Sequence, residues 1–336
     1  MNCRALLRRW ALVGCCVLAA ALGTADCARA TVVRFQTSLG NINVRLYNSA
    51  TPLSVANFLN YTTSDRYDGT FIHRVPQNPQ PPSGNGLTAH FVVQGGGFKL
   101  NNSIFAAASI PLDAPVLNEP GISNLRGTLS YAKGSDPNSA TSQWFFNVAN
   151  NTFLDLPANG SFTAFGRVVG PGMTVVDAID NTPAINASVA QNAGGEDFAE
   201  VPVRNISQVV SQQDITANEA VMITSIDALN IPAGDYDFNG VVNAADLAVW
   251  KTGLGSTTVA EADGNGDGLV DGQDFLVWQR TLGQNFGPPA ISAVGAVPEP
   301  EAAILAVCVA AAAELLRRRR RSENGGSLSH LFLKPQ

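Results

Sequence analysis

The chain has 336 residues, more than one ordinary domain holds, so two or three units are expected. A net charge of −6 at pH 7 argues against a general nucleic-acid binder. With 31 glycines, 19 prolines and only 14% charged residues, the composition suits a β-rich protein with many turns.

Arg4, Arg8 and Arg9 precede an apolar run from Trp10 to Gly23, and Ala28-Arg29-Ala30 then offers a small-residue cleavage site. This is the layout of a secretory signal peptide over residues 1–30, so the protein is expected to be exported. An uncleaved membrane anchor is the alternative. Leu12-Val13-Gly14-Cys15 also reads like a lipoprotein cleavage box, close behind Arg9. All five cysteines (Cys3, Cys15, Cys16, Cys27 and Cys308) lie in the terminal segments, so the body must be held by its core without an internal disulfide.

Residues 31–230 are read as the main domain. Val33 to Thr37 and Ile42 to Leu46 alternate apolar and polar residues around Ser38-Leu39-Gly40-Asn41, an opening β-hairpin. Thr51-Pro52 then starts a helix with Thr as cap and Pro in the first turn, and Val55, Phe58 and Leu59 give it one buried face. Short strands follow around Phe71, around Phe91, and over 127–132, 143–148 and 162–168. Pro171 opens a second helix over 172–179, and Val221 to Ile226 forms a closing strand. Many short strands with two helices suggest an antiparallel barrel with helical plugs.

Within this region, two runs each set one polar side chain among strand-forming apolar residues: Phe71 to Val75 (FIHRV) carries Arg74, and Phe91 to Phe98 (FVVQGGGF) carries Gln94. RGTLSYA at 126–132, SQWFFNV at 142–148, FLD at 153–155 and FTAFGRV at 162–168 follow in order. This ordered set resembles the cyclophilin-type peptidyl-prolyl cis-trans isomerases over nearly the whole main domain. The resemblance implies a mainly β fold, a closed antiparallel eight-stranded barrel capped by two helices.

It also implies a reaction. The X–Pro amide turns slowly because resonance raises a barrier of roughly 18–20 kcal/mol. Lowering it needs no cofactor; it needs a donor aimed at the prolyl nitrogen and tighter binding of the twisted amide. Arg suits the donor's part because it stays charged and carries a fixed fork of N–H groups. By resemblance, Arg74 is the catalytic arginine and Gln94 holds the substrate backbone. Phe91, Val92, Phe145 and Leu154 line the proline pocket, with Ala132 on the peptide side. Val92 stands where many relatives have Met, and Phe153 where many eukaryotic members have Trp, a change that implies poor cyclosporin sensitivity. Phe162 replaces a polar aromatic residue or His.

Taken singly, Arg74 could be a buried ion-pair member and Gln94 an interior hydrogen bonder. Gly95-Gly96-Gly97 lacks the Lys-Ser/Thr of a phosphate loop and is expected to let backbone pass closely. His73 and His90 have no acidic or Cys partners at ligand spacing. The Pro- and Gly-rich stretch Pro76 to Ala89 reads as an exposed loop near the groove.

Residues 235–283 hold a duplicated loop. Asp235, Asp237, Asn239, Asn243 and Asp246 occupy positions 1, 3, 5, 9 and 12 of a calcium loop, with Gly240 at position 6 and the Val241 carbonyl at 7. Asp263, Asn265, Asp267, Leu269, Asp271 and Asp274 repeat the pattern, and each loop runs into a helix, so two Ca²⁺ ions are expected. Asp at position 12, with one helix per loop, resembles type I dockerin, a family whose members bind cohesin domains. Ala244-Ala245 and Gly272-Gln273 stand where that family usually has Ser-Thr, so a calcium-stabilised spacer or another envelope partner stays open beside a cohesin-like one.

After a linker over 284–296, Val297-Pro298-Glu299-Pro300 leads into an apolar stretch, Ala302 to Ala313, and then Arg317 to Arg321. Over 297–321 this resembles the PEP-CTERM sorting signal, and a short anchor helix is the alternative. Either implies inner-membrane contact, transient or permanent, with positive charge retained inside. Glu314 and a tail over 322–336 depart from that pattern. Terminal apolar helices are thus expected at both ends.

The combined expectation is an exported isomerase that acts on X–Pro bonds and assists folding. A weakly catalytic Pro-peptide-binding module, attached to an envelope scaffold through the duplicated loop, is the other reading.

Overall fold

Alternation builds the opening hairpin of the computed structural model, in strands β1 (Val32–Thr37) and β2 (Gly40–Leu46). Val33 pairs with Val44 and Phe35 with Ile42, and all four side chains are buried. Arg45 lies on the opposite, polar face of β2. It is fully buried, because the duplicated-loop module covers it. The structure describes residues 30–76, 91–187, 198–209, 215–286 and 290–291. The expected signal peptide, nearly all of the Pro-rich loop, the sorting segment, the tail and both terminal apolar helices lie outside them.

Helix α1 (Pro52–Thr63) begins at Thr51 as expected, yet the Thr51 hydroxyl makes no cap bond and donates to the Tyr47 carbonyl. The cap comes from elsewhere in the chain. The Glu119 carboxylate accepts the backbone N–H groups of Leu53 (3.1 Å) and Ser54 (2.8 Å), where the helix dipole favours an anion. Val55 and Phe58 are buried on the inner face.

Further strands are β3 (Thr70–Phe71), β4 (Val92–Gly95), β5 (Phe98–Asn101), β6 (Ser103–Ser109), β7 (Thr128–Tyr131), β8 (Trp144–Asn147) and β9 (Ala164–Val169). Helix α2 (Gly172–Asp180) follows, then β10 (Ala184–Ile185), β11 (Val201–Pro202) and β12 (Met222–Asn230). One antiparallel sheet runs β4-β8-β7-β9-β2-β1-β12-β3-β5-β6, with β13 (Ala290–Ile291) on β12. Strand β12 closes on β1 as expected, Phe35 opposite Ile226.

The fold is mainly β with one curled antiparallel sheet, and the path of paired strands does not by itself make the closed eight-stranded barrel expected. The hairpin β5-β6 extends one margin beyond β3, and the path ends at β4 and β6. An isolated bridge joins Arg74 to Gln94, with the Gln94 N–H donating to the Arg74 carbonyl at 2.9 Å. Inside the curl, Phe35 meets Trp144 edge-on at 5.0 Å and Phe146 at 5.2 Å, beneath α1 and α2. A second cluster gathers Phe71, Phe98 and Phe198 around the β5-β6 margin.

The loop module folds as helices α3 (Ala244–Gly253) and α4 (Gly272–Thr281) around Tyr236, Val242 and Trp278. Each helix has a capping box made by loop positions 9 and 12: Asn243 with Asp246, and Asp271 with Asp274. The second loop lies on the curled sheet. Ser49 and Ala50 donate to the Gly266 carbonyl, Ala30 to Gly264, and the Ser49 hydroxyl to Asn265 at 2.7 Å.

Candidate active site and calcium loops

The β4-β8 register decides which side chains share a face. Val93 pairs with Phe146 and turns into the core, so Val92 and Gln94 turn outward, Gln94 beside Phe145. There Val92, Phe145 and Leu154 form a separate buried apolar cluster, with Phe91, Ala132, Phe153 and Phe162 packed against it. The structure thus brings together every residue expected to grip substrate. Phe91 stacks on Phe153 (5.6 Å, 26°), and Phe162 meets Phe145 edge-on (6.0 Å, 68°).

Arg74 is positioned by the bridge to β4. Its Nη1 donates to Gln94 Oε1 at 3.2 Å, and Gln94 Nε2 donates onward to Gln143 Oε1 at 2.8 Å. The Arg74 side chain is 41% exposed and its Nε stands 3.8 Å from Glu200 Oε2. It is therefore not a buried ion-pair member; the cation stands partly exposed at the rim. Gln143 and Glu200 were not among the expected site residues. Gln143 lies inside a motif run, whereas no local pattern marks Glu200, which arrives beside Arg74 through the Val75 N–H bond to its carbonyl (2.8 Å).

Glycine spacing serves this geometry. A Cβ on Gly95 would stand 2.8 Å from Trp144, and Gly96 has φ +81° against Trp144 and the Ser142 carbonyl. Close backbone passage, as expected, is what the run provides.

Behind the pocket, the turn Thr152–Asp155 carries Phe153 and Leu154. The Asp155 carboxylate accepts the Asn124 N–H (2.9 Å), Asn124 Nδ2 (2.8 Å) and the Ser123 hydroxyl. Asn147 Nδ2 donates to Thr128 and Ser130 hydroxyls, and Asn151 donates back to Asn147 Oδ1 at 2.7 Å. Buried amides paired this fully hold the wall in one arrangement. His73 lies buried among Phe71, Phe98 and Phe198, and burial pushes its pKa down to about 3, so it is neutral and structural.

At the pocket's other rim the Lys133 ammonium lies over the Phe162 ring, 4.2 Å from its centre. Partial burial lowers the Lys133 pKa.

In the first calcium loop, ligand atoms of Asp235, Asp237 and Asp246 lie within 4.8 Å of one another. Among the described residues no other such group of His, Cys or acidic side chains occurs. The second loop has Asn265 where the first has Asp237, but Asp267 and Asp271 where the first has Asn239 and Asn243, so it carries four carboxylates against three. Asp235, Asp246, Asp263 and Asp274 are all buried. Burial lifts the Asp263 pKa to about 7 and that of Asp274 to about 6, and raises that of Asp235. Backbone N–H groups satisfy one edge of these carboxylates: Asp235 accepts from Asn239 and Gly240, and Asp263 from Gly266 and Gly268. Converging hard oxygen donors with that much uncompensated negative charge fit Ca²⁺.

Comparison with known proteins agrees with this geometry. Residues 32–213 match the family described as cyclophilin type peptidyl-prolyl cis-trans isomerase/CLD, and residues 233–283 match the dockerin type I domain. A peptidyl-prolyl cis-trans isomerase of Acinetobacter baylyi is 40% identical over 190 residues, 56% of this chain and 89% of that protein. Peptidyl-prolyl cis-trans isomerase A of Dickeya dadantii is 41% identical over 165 residues, 48% of this chain and 77% of that protein. Peptidyl-prolyl cis-trans isomerase B of Escherichia coli is 34% identical over 172 residues, 49% of this chain and 94% of that protein. The chain belongs to the cyclophilin-type peptidyl-prolyl cis-trans isomerases, is an enzyme of that class, and carries a dockerin type I domain behind its isomerase domain.

Proposed function

We propose that the chain isomerises X–Pro bonds of exported proteins, with Arg74 as the donor to the prolyl nitrogen. The observation that carries this is the Arg74–Gln94–Gln143 chain at the mouth of an apolar pocket. The proline ring enters between Val92, Phe145 and Leu154. Gln94 holds the adjoining backbone, and the guanidinium draws the nitrogen lone pair out of amide resonance. The twisted amide has a more basic nitrogen than either planar isomer, so this contact strengthens as the bond turns. We read the Arg74–Gln94 bridge as the seam that closes the curled sheet into the expected barrel.

The domain bounds are proposed as 31–230 for the isomerase and 235–283 for the dockerin module. Two Ca²⁺ ions are assigned, one to Asp235, Asp237, Asn239, Val241, Asn243 and Asp246, the other to Asp263, Asn265, Asp267, Leu269, Asp271 and Asp274. When bound, the ions supply the positive charge that these buried carboxylates require. Export rests on the arginine-led apolar run at the N-terminus, and membrane contact on the apolar stretch before Arg317 to Arg321. A cohesin-like partner is proposed for the module.

The test is turnover of a Pro-containing tetrapeptide by the full chain and by Arg74→Ala. Loss of about 100-fold or more in the variant is expected if the donor acts chiefly in the transition state. Two inactive proteins that still fold and bind the peptide would transfer the assignment to the binding-module reading.

A further inference from the structure

Two cations flank the pocket, and they differ in their company. Arg74 has Glu200 within 3.8 Å. Lys133 has no carboxylate at salt-bridge distance among the described residues; Asp136, the acidic group that acts on it, is not within pairing reach. Its ammonium is held by the Phe162 ring face instead. Gly160 makes the seat: with φ +85° it carries no side chain, and a Cβ there would collide with the Lys133 Nζ. The carbonyls of Gly160 and Ser161 are already taken by Asn118 Nδ2.

Lys133 is tied to the pocket on both sides. Phe162 packs its edge against Phe145 in the pocket wall, so the ammonium stands one ring away from that wall. Ala132, its neighbour in the chain, is part of the apolar cluster and donates its N–H to the Gln143 carbonyl at 2.9 Å. Gln143 in turn accepts from Gln94. A proline that fills the cluster therefore lies about one aromatic ring from the Lys133 ammonium.

We infer that Lys133 selects X–Pro segments with an acidic side chain next to the proline. This rests on the isomerase reading and names its substrate class. A carboxylate there meets a cation that is half-buried, poorly compensated and already fixed in place, so little side-chain freedom is lost on pairing. A basic side chain meets repulsion at the same spot. The selection acts on affinity and leaves the donor Arg74 untouched.

The experiment uses the full chain with calcium present and peptides Ala-Xaa-Pro-Phe and Ala-Ala-Pro-Xaa, where Xaa is Glu, Ala or Lys. Both kcat/KM and peptide affinity are measured, at low and at high salt. Wild type is expected to favour Glu over Lys by about threefold to fivefold in at least one series at low salt. That ratio should shrink with salt, fall to about one in Lys133→Met, survive in Lys133→Arg and invert in Lys133→Glu. Equal ratios in wild type and Lys133→Met, in turnover and in affinity, would overturn the inference. Absence of turnover with every peptide sinks the isomerase reading alone, because the affinity ratios still report on Lys133.

Discussion

Arg45 of β2 donates its Nη1 to the backbone carbonyl of Asp263, the first ligand position of the second calcium loop, at 3.2 Å. The same nitrogen reaches the Ala233 carbonyl at 3.4 Å, and the guanidinium lies over the rings of Tyr236 and Phe238. A fully buried arginine on a strand of the isomerase thus helps shape a loop of the dockerin module. The two domains share an interior at this point.

Because the second loop rests on Ser49, Ala50 and Arg45, calcium should stabilise more than the module. Chelation is expected to lower the melting temperature of the isomerase domain as well. Ligand present at 100 times its dissociation constant stabilises by about 2.7 kcal/mol per site. Calorimetry with and without EGTA checks this, and a melting profile of the isomerase signals that ignores calcium would refute the coupling.

Replacing Arg45 tests the same junction from the other side. Arg45→Ala leaves two carbonyls unpaired and a cavity between Tyr236 and Phe238, and should cost about 2–5 kcal/mol in urea unfolding. Arg45→Met keeps much of the volume without burying a charge, so its cost should be clearly smaller.

Glu200 is expected to steady the Arg74 fork rather than touch substrate. Glu200→Gln should lower kcat by about twofold to fivefold with little change in KM, the scale of a partly exposed ion pair. Glu200→Asp should recover part of the loss. Steady-state kinetics that show a KM effect alone would place Glu200 in substrate binding instead.

Asp155 holds the turn that presents Phe153 and Leu154. Asp155→Ala removes the acceptor for the Asn124 N–H, its Nδ2 and the Ser123 hydroxyl, so stability should fall by about 1–3 kcal/mol. Peptide affinity should weaken with it, as read by titration of a Pro-containing peptide. An intact affinity would show that the turn needs no such support.

His73 gives a pH signature. Its folded pKa of about 3 lies below the ordinary 6.5, so between these values the unfolded chain binds the extra proton. Stability from this group is complete above about pH 6.5 and is lost as pH falls toward about 3. Unfolding of His73→Leu should therefore depend less steeply on pH over that window. Comparing the variant with wild type cancels the loop carboxylates, which both proteins share.

The sequence alone determined whatever is carried by local spacing. FIHRV, FVVQGGGF and the later motifs marked Arg74, Gln94 and the seven residues of the apolar cluster through their resemblance to one family, and strand alternation sets Val92, Gln94 and Phe145 on one face. The repeated loop positions marked the calcium donors, because a twelve-residue loop must place its ligands in order. Tertiary structure decided what distant segments bring to one another. Glu200 reaches Arg74 only after β11 folds back, and Glu119 rather than Thr51 caps α1. The β5-β6 hairpin extends the sheet beyond β3, where Thr70 pairs with Lys99. Arg45 sits on the polar face of its strand, and the docked loop buries it. Burial between elements depends on contacts across the fold, which no local period records.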